Sequence, residues 1–109
     1  MENVLINKII EELKLELKEK YPDFKGIYLF GSHARGDFNE DSDYDLLFVF
    51  DRVINRKFKD DLRRRIIDYE IEHSIIIDSH VYNYSDILNP VTPFRVNVKK
   101  EGVYYEARG

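Results

Sequence analysis

The feature that most constrains the fold is the segment DYDLLFVF at residues 43–50. Its last five residues, 46–50, are all apolar, which is typical of an interior strand covered on both faces. Asp43 and Asp45 stand two residues apart at its start, and side chains at such positions of a strand project from the same face. The chain is therefore expected to build a covered sheet with two carboxylates at one spot on it.

Hydrophobic periodicity predicts further elements around this strand. Apolar residues spaced three and four apart indicate amphipathic helices, and short β-branched or aromatic runs indicate strands. The predicted elements are a helix over residues 3–21 that Pro22 ends, a strand at 27–30, one helical turn at 32–36, a loop at 37–42, a strand at 43–50, a helix at 55–73 and a strand at 74–81.

The pattern weakens after Tyr82. Residues 94–100 fit either a short helix or a short strand, and Tyr104 and Tyr105 form an aromatic tail. The order of elements predicts a single α/β (α+β) domain over residues 1–109, with a small mixed sheet flanked by helices.

Composition excludes several classes of protein. The 109 residues include no cysteine, so disulfide frameworks, thiolate zinc sites and cysteine nucleophiles are ruled out. A net charge of -4 argues against a general nucleic-acid binder, and direct binding to nucleic acid is not expected. Apolar runs are far shorter than the ~20 residues of a membrane helix, and Glu2 stands where a signal peptide would be basic. We expect a cytoplasmic protein without membrane association.

The paired acids suggest a metal site. Like charges at Asp43 and Asp45 repel each other unless a cation joins them, and Asp78 could supply a third carboxylate if its strand lies alongside. Hard oxygen ligands of this kind suit Mg²⁺. Gly31 and Ser32 directly follow a strand, where a close backbone approach and a hydroxyl can meet phosphate oxygens. A nucleoside triphosphate with Mg²⁺ is the ligand that this combination favours.

Two other ligand-binding motifs fit the sequence poorly. A P-loop requires Lys and then Ser or Thr after its last glycine, but Asp37 and Phe38 occupy those positions. A calcium-binding EF-hand loop requires Gly and Glu where Leu46 and Arg52 stand. Both motifs are therefore rejected.

The segments GSHARG at residues 31–36 and SDYDL at residues 42–46 resemble the signature of the nucleotidyltransferase superfamily typified by DNA polymerase beta, specifically its minimal nucleotidyltransferases. The resemblance implies a polymerase-beta-like core. It also implies that Gly31 and Ser32 hold the triphosphate of ATP, and that Asp43 and Asp45 bind two Mg²⁺ ions. Asp78 would be the third acid, which also binds metal and helps activate the attacking hydroxyl.

The resemblance further implies a partner. Minimal members of this family resemble the antitoxin half of two-gene modules whose other half is an all-helical HEPN ribonuclease toxin. The expected reaction is transfer of AMP from ATP to a toxin hydroxyl, plausibly of tyrosine, and either a homodimer or a complex with the toxin would be consistent with it. The alternative is a binding module that neutralises the toxin by occlusion, with a nucleotide site that no longer acts.

Structural roles are expected for several other histidines and arginines. His33 and His80 have no partner evident in the sequence and are expected at the surface or in packing. Arg35 is expected to form an ion pair with the acidic loop. Residues 63–65, all arginine, fan around a helix axis and cannot share one ligand.

Overall fold

The structure is a computed structural model that describes residues 4–37, 39 and 43–107. Five helices and four strands follow one another along this part of the chain. They are α1 Val4–Lys20, β1 Phe24–Phe30, α2 Ser32–Arg35, β2 Tyr44–Phe50, α3 Arg56–His73, β3 Ile77–Asn83, α4 Tyr84–Leu88, α5 Pro93–Glu101 and β4 Val103–Glu106.

The four strands form one mixed sheet in the order β3-β2-β1-β4. The strand β1 pairs antiparallel with both β2 and β4, whereas β2 and β3 run parallel. The predicted α/β (α+β) class with a small mixed sheet is confirmed. As predicted, β2 is an interior strand, and its residues 46–50 are all buried.

The sheet has a separate hydrophobic cluster on each face. The larger cluster joins α1 and α3 to one face, and the smaller joins α4 and α5 to the other. Because alternate strand residues face opposite sides, β2 contributes to both clusters. The larger one takes Leu46, Phe48 and Phe50, and the smaller one takes Leu47 and Val49 with Tyr28, Ile87 and Val98.

The third strand differs from its prediction at both ends. The prediction began it at residue 74, but Ser74 takes a left-handed conformation with φ 54° and ends α3 instead. The backbone N–H groups of Ser74 and Ile75 both donate to the carbonyl of Glu70. The strand begins only at Ile77, so Asp78 is its second residue and does not interrupt an apolar run.

The end of the chain was also predicted incompletely. The short helix α4 was missed, and α5 is the helical one of the two alternatives left open for residues 94–100. Thr92 caps α5 by accepting a hydrogen bond from Arg95 N at 3.3 Å, and Pro93 takes the first helical position. The residues expected to form an aromatic tail are the strand β4, in which Tyr105 pairs with Ile27 and Tyr104 with Tyr28.

No helix in the described residues combines the length and the apolar character needed to span a bilayer.

An ion pair closes the end of the sheet at which β1 begins and β2 ends. Arg52 donates from Nε and Nη2 to the two carboxylate oxygens of Asp23, at 2.6 and 2.7 Å. Its guanidinium carbon also lies 4.2 Å from the ring centroid of Phe58 in α3. The hydrogen bond from Arg52 is the main reason that the pKa of Asp23 lies below its usual value. One side chain thus joins both central strands to α3.

We expect Arg52→Ala to lower the free energy of unfolding by about 1–2 kcal/mol, since it removes a bidentate ion pair and a cation–π contact. Because the pKa of Asp23 is lowered in the folded state, the stabilisation is present at neutral pH and is lost as the pH falls through that pKa. Urea unfolding at pH 7 and pH 3 measures both effects. Arg56→Ala, at an exposed arginine that begins α3, is the control. Equal losses in the two variants would contradict the assignment.

Candidate active site

The centre of the candidate site is a pair of acids on neighbouring strands. In the parallel pairing of β2 with β3, Asp45 is in register with Asp78, so their side chains lie side by side on one face of the sheet. Asp78 lies close enough to Asp45 to raise the pKa of that carboxyl group. Asp43 precedes β2 by one residue and is exposed. Of the three predicted acids, Asp45 and Asp78 thus lie side by side on the sheet, and Asp43 lies exposed just before β2.

The electrostatics of this pair favour a bound cation. The pKa of Asp45 is raised, first because its carboxyl group is partly buried, and then because Asp78 can accept a hydrogen bond from its protonated form and repels its ionised form. The charge of Asp43 raises that pKa further, and His80 partly offsets these effects. A divalent cation would relieve the same repulsion, and carboxylate oxygens are the donors that Mg²⁺ prefers.

Gly31 brings the main chain into contact with this pair. It follows β1, whose last residue Phe30 pairs with Asp45. Its φ of 73° and ψ of -154° fall in a region that only glycine enters readily. A Cβ atom built on Gly31 would lie 2.1 Å from Oδ2 of Asp45. The absence of a side chain therefore lets the turn lie directly against the carboxylate.

The turn continues into the predicted helical turn, α2. Ser32 is its first residue, where a backbone N–H has no partner within the helix. Gly36 ends it in the left-handed conformation, donating its N–H to the carbonyl of Ser32. Arg35 forms the expected ion pair with the acidic loop, 3.2 Å from Asp37. Gly31 and Ser32 thus provide three features beside the acids. These are a backbone that a ligand can approach closely, a first helical N–H that has no partner within the helix, and a hydroxyl group.

His33 holds this turn against β2. It is buried, and its ring stacks on Tyr44 with centroids 4.0 Å apart and an angle of 27° between the planes. Tyr44 lies between Asp43 and Asp45 in sequence and packs on the larger cluster. The predicted packing role of His33 is confirmed, and through Tyr44 the ring fixes the backbone that carries Asp43 and Asp45.

His80 has the packing role expected from the sequence and also a partner that sequence reasoning did not find. Its Nε2 lies 3.3 Å from Oδ2 of Asp78. The ring also packs near Phe30 and Phe94, with centroid distances of 5.6 and 5.1 Å. The spacing of Asp78 and His80, two residues apart in a strand, puts both side chains on one face and could have predicted this contact.

Residues of α3 fix the backbone next to Asp78. The N–H of Ile77 donates to Oε2 of Glu70 at 2.7 Å, and Oε1 of Glu70 lies 2.8 Å from Nη2 of Arg63. Arg63 also donates to the carbonyl of Ile77 at 3.5 Å. As expected, the three adjacent arginines share no ligand: Arg64 pairs with Asp61 and Arg65 with Glu16.

Two parts of the predicted site are not described by this geometry. Ser42, which belongs to the second motif segment, lies outside the described residues. Among the described residues, no three His, Asp or Glu side chains already stand together as a chelating group. Asp43, Asp45 and Asp78 as metal ligands, and Gly31 and Ser32 as phosphate ligands, therefore stay predictions. The neighbouring carboxyl groups of Asp45 and Asp78 are the feature that fits a metal ion.

Comparison with known proteins places this site in a family. A family model described as "Nucleotidyltransferase domain" matches residues 10–105. The Methanocaldococcus jannaschii protein named "Putative protein adenylyltransferase MJ0604" is 38% identical over 100 residues, which cover 87% of this chain and 92% of that protein. A second protein of that organism, "Putative protein adenylyltransferase MJ0141", is 32% identical over 78 residues, 71% of this chain and 79% of its own.

Solved structures share the fold. A Sulfolobus solfataricus protein described as a "putative nucleotidyltransferase" has a TM-score of 0.63 and 27% identity, covering 90% of this chain and 77% of that one. A structure described as "the toxin-antitoxin with AMP-PNP" has a TM-score of 0.60 at 20% identity, covering 90% of this chain and 73% of that one. At that identity the second likeness shows the fold alone.

The contact between Gly31 and Asp45 predicts that Gly31→Ala destabilises the protein more than Gly36→Ala does. Both glycines have a positive φ, so both substitutions carry a backbone cost of about 1 kcal/mol. Only at Gly31 would the new Cβ meet a side chain, because nothing lies within 4 Å of a Cβ at Gly36. Urea unfolding of the two variants measures the difference, and equal losses would show that the carboxylate contact is absent.

The raised pKa of Asp45 predicts that Asp45→Asn increases the thermal stability of the metal-free protein at pH 7. An acid whose pKa is raised by folding destabilises the fold when it is ionised, and this penalty disappears as the pH falls below its unfolded pKa. The gain in Tm should therefore be largest near neutral pH and vanish near pH 3. Asp51→Asn, at an exposed acid just beyond the other end of β2, is the control. A gain that does not depend on pH would contradict this electrostatic origin.

Proposed function

The chain belongs to the nucleotidyltransferase domain family, and from that membership we propose that it transfers AMP from ATP to a hydroxyl group of a protein, with Mg²⁺ bound. The observation that carries the proposal is the close approach of the Gly31 backbone to Asp45, which lies in register with Asp78. It supports a site in which a turn suited to phosphate lies beside carboxylates suited to metal binding and proton transfer. The names of the M. jannaschii relatives favour AMP and a protein acceptor.

The turn after β1 would bind the triphosphate. Gly31 has no side chain to keep a phosphate from the backbone, and Ser32 offers its hydroxyl and the first N–H of α2. The stack of His33 on Tyr44 holds this turn in a fixed position relative to β2. Binding energy would therefore be spent on a turn that is already shaped for the nucleotide.

Asp43, Asp45 and Asp78 would hold the Mg²⁺ ions. When bound, Mg²⁺ neutralises phosphate charge and stabilises the attacking and leaving oxygens of a displacement at phosphorus. In the reaction, the acceptor oxygen forms a bond to the α-phosphorus. The bond between the α-phosphorus and the oxygen that bridges it to the β-phosphorus breaks, and pyrophosphate leaves. Asp78 takes the proton of the acceptor hydroxyl, and the neighbouring His80 holds the Asp78 carboxylate in orientation.

The acceptor that we propose is a tyrosine of a HEPN-family ribonuclease toxin, so that this protein acts as the antitoxin in the cytoplasm. Structures with this fold include ones described as toxin–antitoxin complexes. Addition of AMP to an RNA-cleaving partner would place a bulky anion on it, which would repel RNA phosphates.

The decisive experiment measures the intact mass of the protein encoded by the adjacent gene, called the partner below. After incubation with this protein, ATP and Mg²⁺, the partner should gain the mass of one or more AMP units. The double variant Asp43→Asn, Asp45→Asn should reduce the rate at least ~100-fold, because it removes two carboxylates from the metal site. Peptide mapping would then locate the modified residue.

Asp51→Asn serves as the matched control, because it makes the same change at an exposed acid outside the site. It should leave the mass gain intact. A partner that forms a complex but never gains mass would contradict transfer. Neutralisation of the partner by the double variant would instead favour occlusion.

A further inference from the structure

The strand that carries Asp78 lies at an open edge of the sheet. The strand order β3-β2-β1-β4 makes β3 one of the two edges, and no strand of the described residues pairs with its outer side. The strand has seven residues and runs away from the acids, from Ile77 to Asn83. The other edge, β4, is separated from β3 by two strands, so only the β3 edge borders the acid pair.

The hydrogen bonding shows which groups of β3 face outward. The N–H of Tyr44 in β2 donates to the carbonyl of Ile76, so the even-numbered residues of β3 bond to β2 in the parallel ladder. Ile77 faces the other way, because its N–H and C=O meet Glu70 and Arg63 of α3. By the same alternation, Ser79 and Val81 direct their N–H and C=O groups to the outer edge.

Side chains of α3 thus occupy the outer edge of β3 at Ile77, and a groove borders the edge beyond that residue. Glu70 and Arg63 occupy the outward groups of Ile77, next to Asp78. From Ser79 onward the edge forms the floor of a groove of about 650 Å³. The groove is lined on the α3 side by Lys59 and Arg63, near the end of β2 by Val53, and on the α4 side by Asp86.

We propose that an extended segment of the acceptor protein pairs with the β3 edge along residues 79–83 and so delivers its hydroxyl to Asp78. The outward N–H and C=O groups of an edge strand form their best hydrogen bonds with another strand. In many peptide complexes an extended peptide binds to a sheet edge in this way. The proposal rests on the proposed function, which requires a protein hydroxyl at this end of the sheet.

The register of such a pair selects the acceptor residue. Asp78 and His80 project from the same face of β3. A residue of the docked segment opposite His80 would project from that face too, diagonal to Asp78 by about 7–8 Å, a distance that a tyrosine side chain spans. The outward backbone groups of Ile77 are already bonded to Glu70 and Arg63, so the segment cannot pair with β3 beyond Ser79 in that direction. The strand edge itself would therefore determine which hydroxyl reaches Asp78.

The test compares Val81→Pro with Val81→Ala. Both remove packing by the valine side chain, but only proline removes the outward N–H, and it costs no bond to β2. We expect the Kd of Val81→Pro for the partner to be at least about tenfold higher than that of Val81→Ala, because hydrogen bonds at the strand edge are lost. Binding of ATP with Mg²⁺ should be equal in the two variants.

Hydrogen exchange of the wild-type complex keeps the test decisive even if the proline variant fails to fold. The amides of Ser79 and Val81 should exchange more slowly in the presence of the partner. A complex without this protection, or equal affinities of the two variants, would overturn edge pairing and leave transfer standing. Protection without any gain of AMP would support edge pairing and contradict the proposed function. Self-association that only Val81→Pro abolishes, with unchanged partner binding, would assign the edge to a second copy of this chain and overturn the proposal.

Discussion

The parallel pairing of β2 with β3 is the contact on which the rest of the site depends. Its register sets Asp45 beside Asp78, and the partial burial of the Asp45 carboxyl group and its repulsion by Asp78 oppose folding at neutral pH. The same strand offsets this cost, because the five residues that follow Asp45 are buried on both faces of the sheet. The buried apolar run of β2 therefore supplies the stability that keeps Asp45 beside Asp78.

The three sheet positions that matter follow one another across the strands. Gly31 lies at the end of β1, Asp45 on β2 and Asp78 on β3, and the groove lies beyond β3. In the proposed reaction the nucleotide would occupy the β1 side of the acids and the acceptor would come from the β3 side. The acceptor oxygen would then attack the α-phosphorus from the side opposite the leaving pyrophosphate, which is what an in-line displacement requires.

Local sequence patterns were sufficient to predict the elements that carry the acids and the turn. The strand of Asp45 and the turn at Gly31 depend on neighbours within a few residues, and both were located correctly. The missed elements depend on distant contacts: β4 is four residues long and is stabilised by pairing with β1, about eighty positions earlier. The bond from Ile77 to Glu70 and the end of α3 at Ser74 likewise depend on backbone conformation that hydrophobic periodicity does not encode. The contact of His80 with Asp78 was available from their spacing and was overlooked.

The unequal hydrophobic clusters on the two faces separate what keeps the protein folded from what surrounds its acids. The larger cluster, under α1 and α3, lies on the face away from Asp45 and Asp78, whereas α4 and α5 cover the acid-bearing face with only a small cluster. Substitutions in α4 and α5 can therefore reshape the surroundings of the acids while leaving most buried apolar area intact. For the proposed transfer, this division would let new acceptors arise at little cost in stability, because the α4 side of the groove lies outside the larger core.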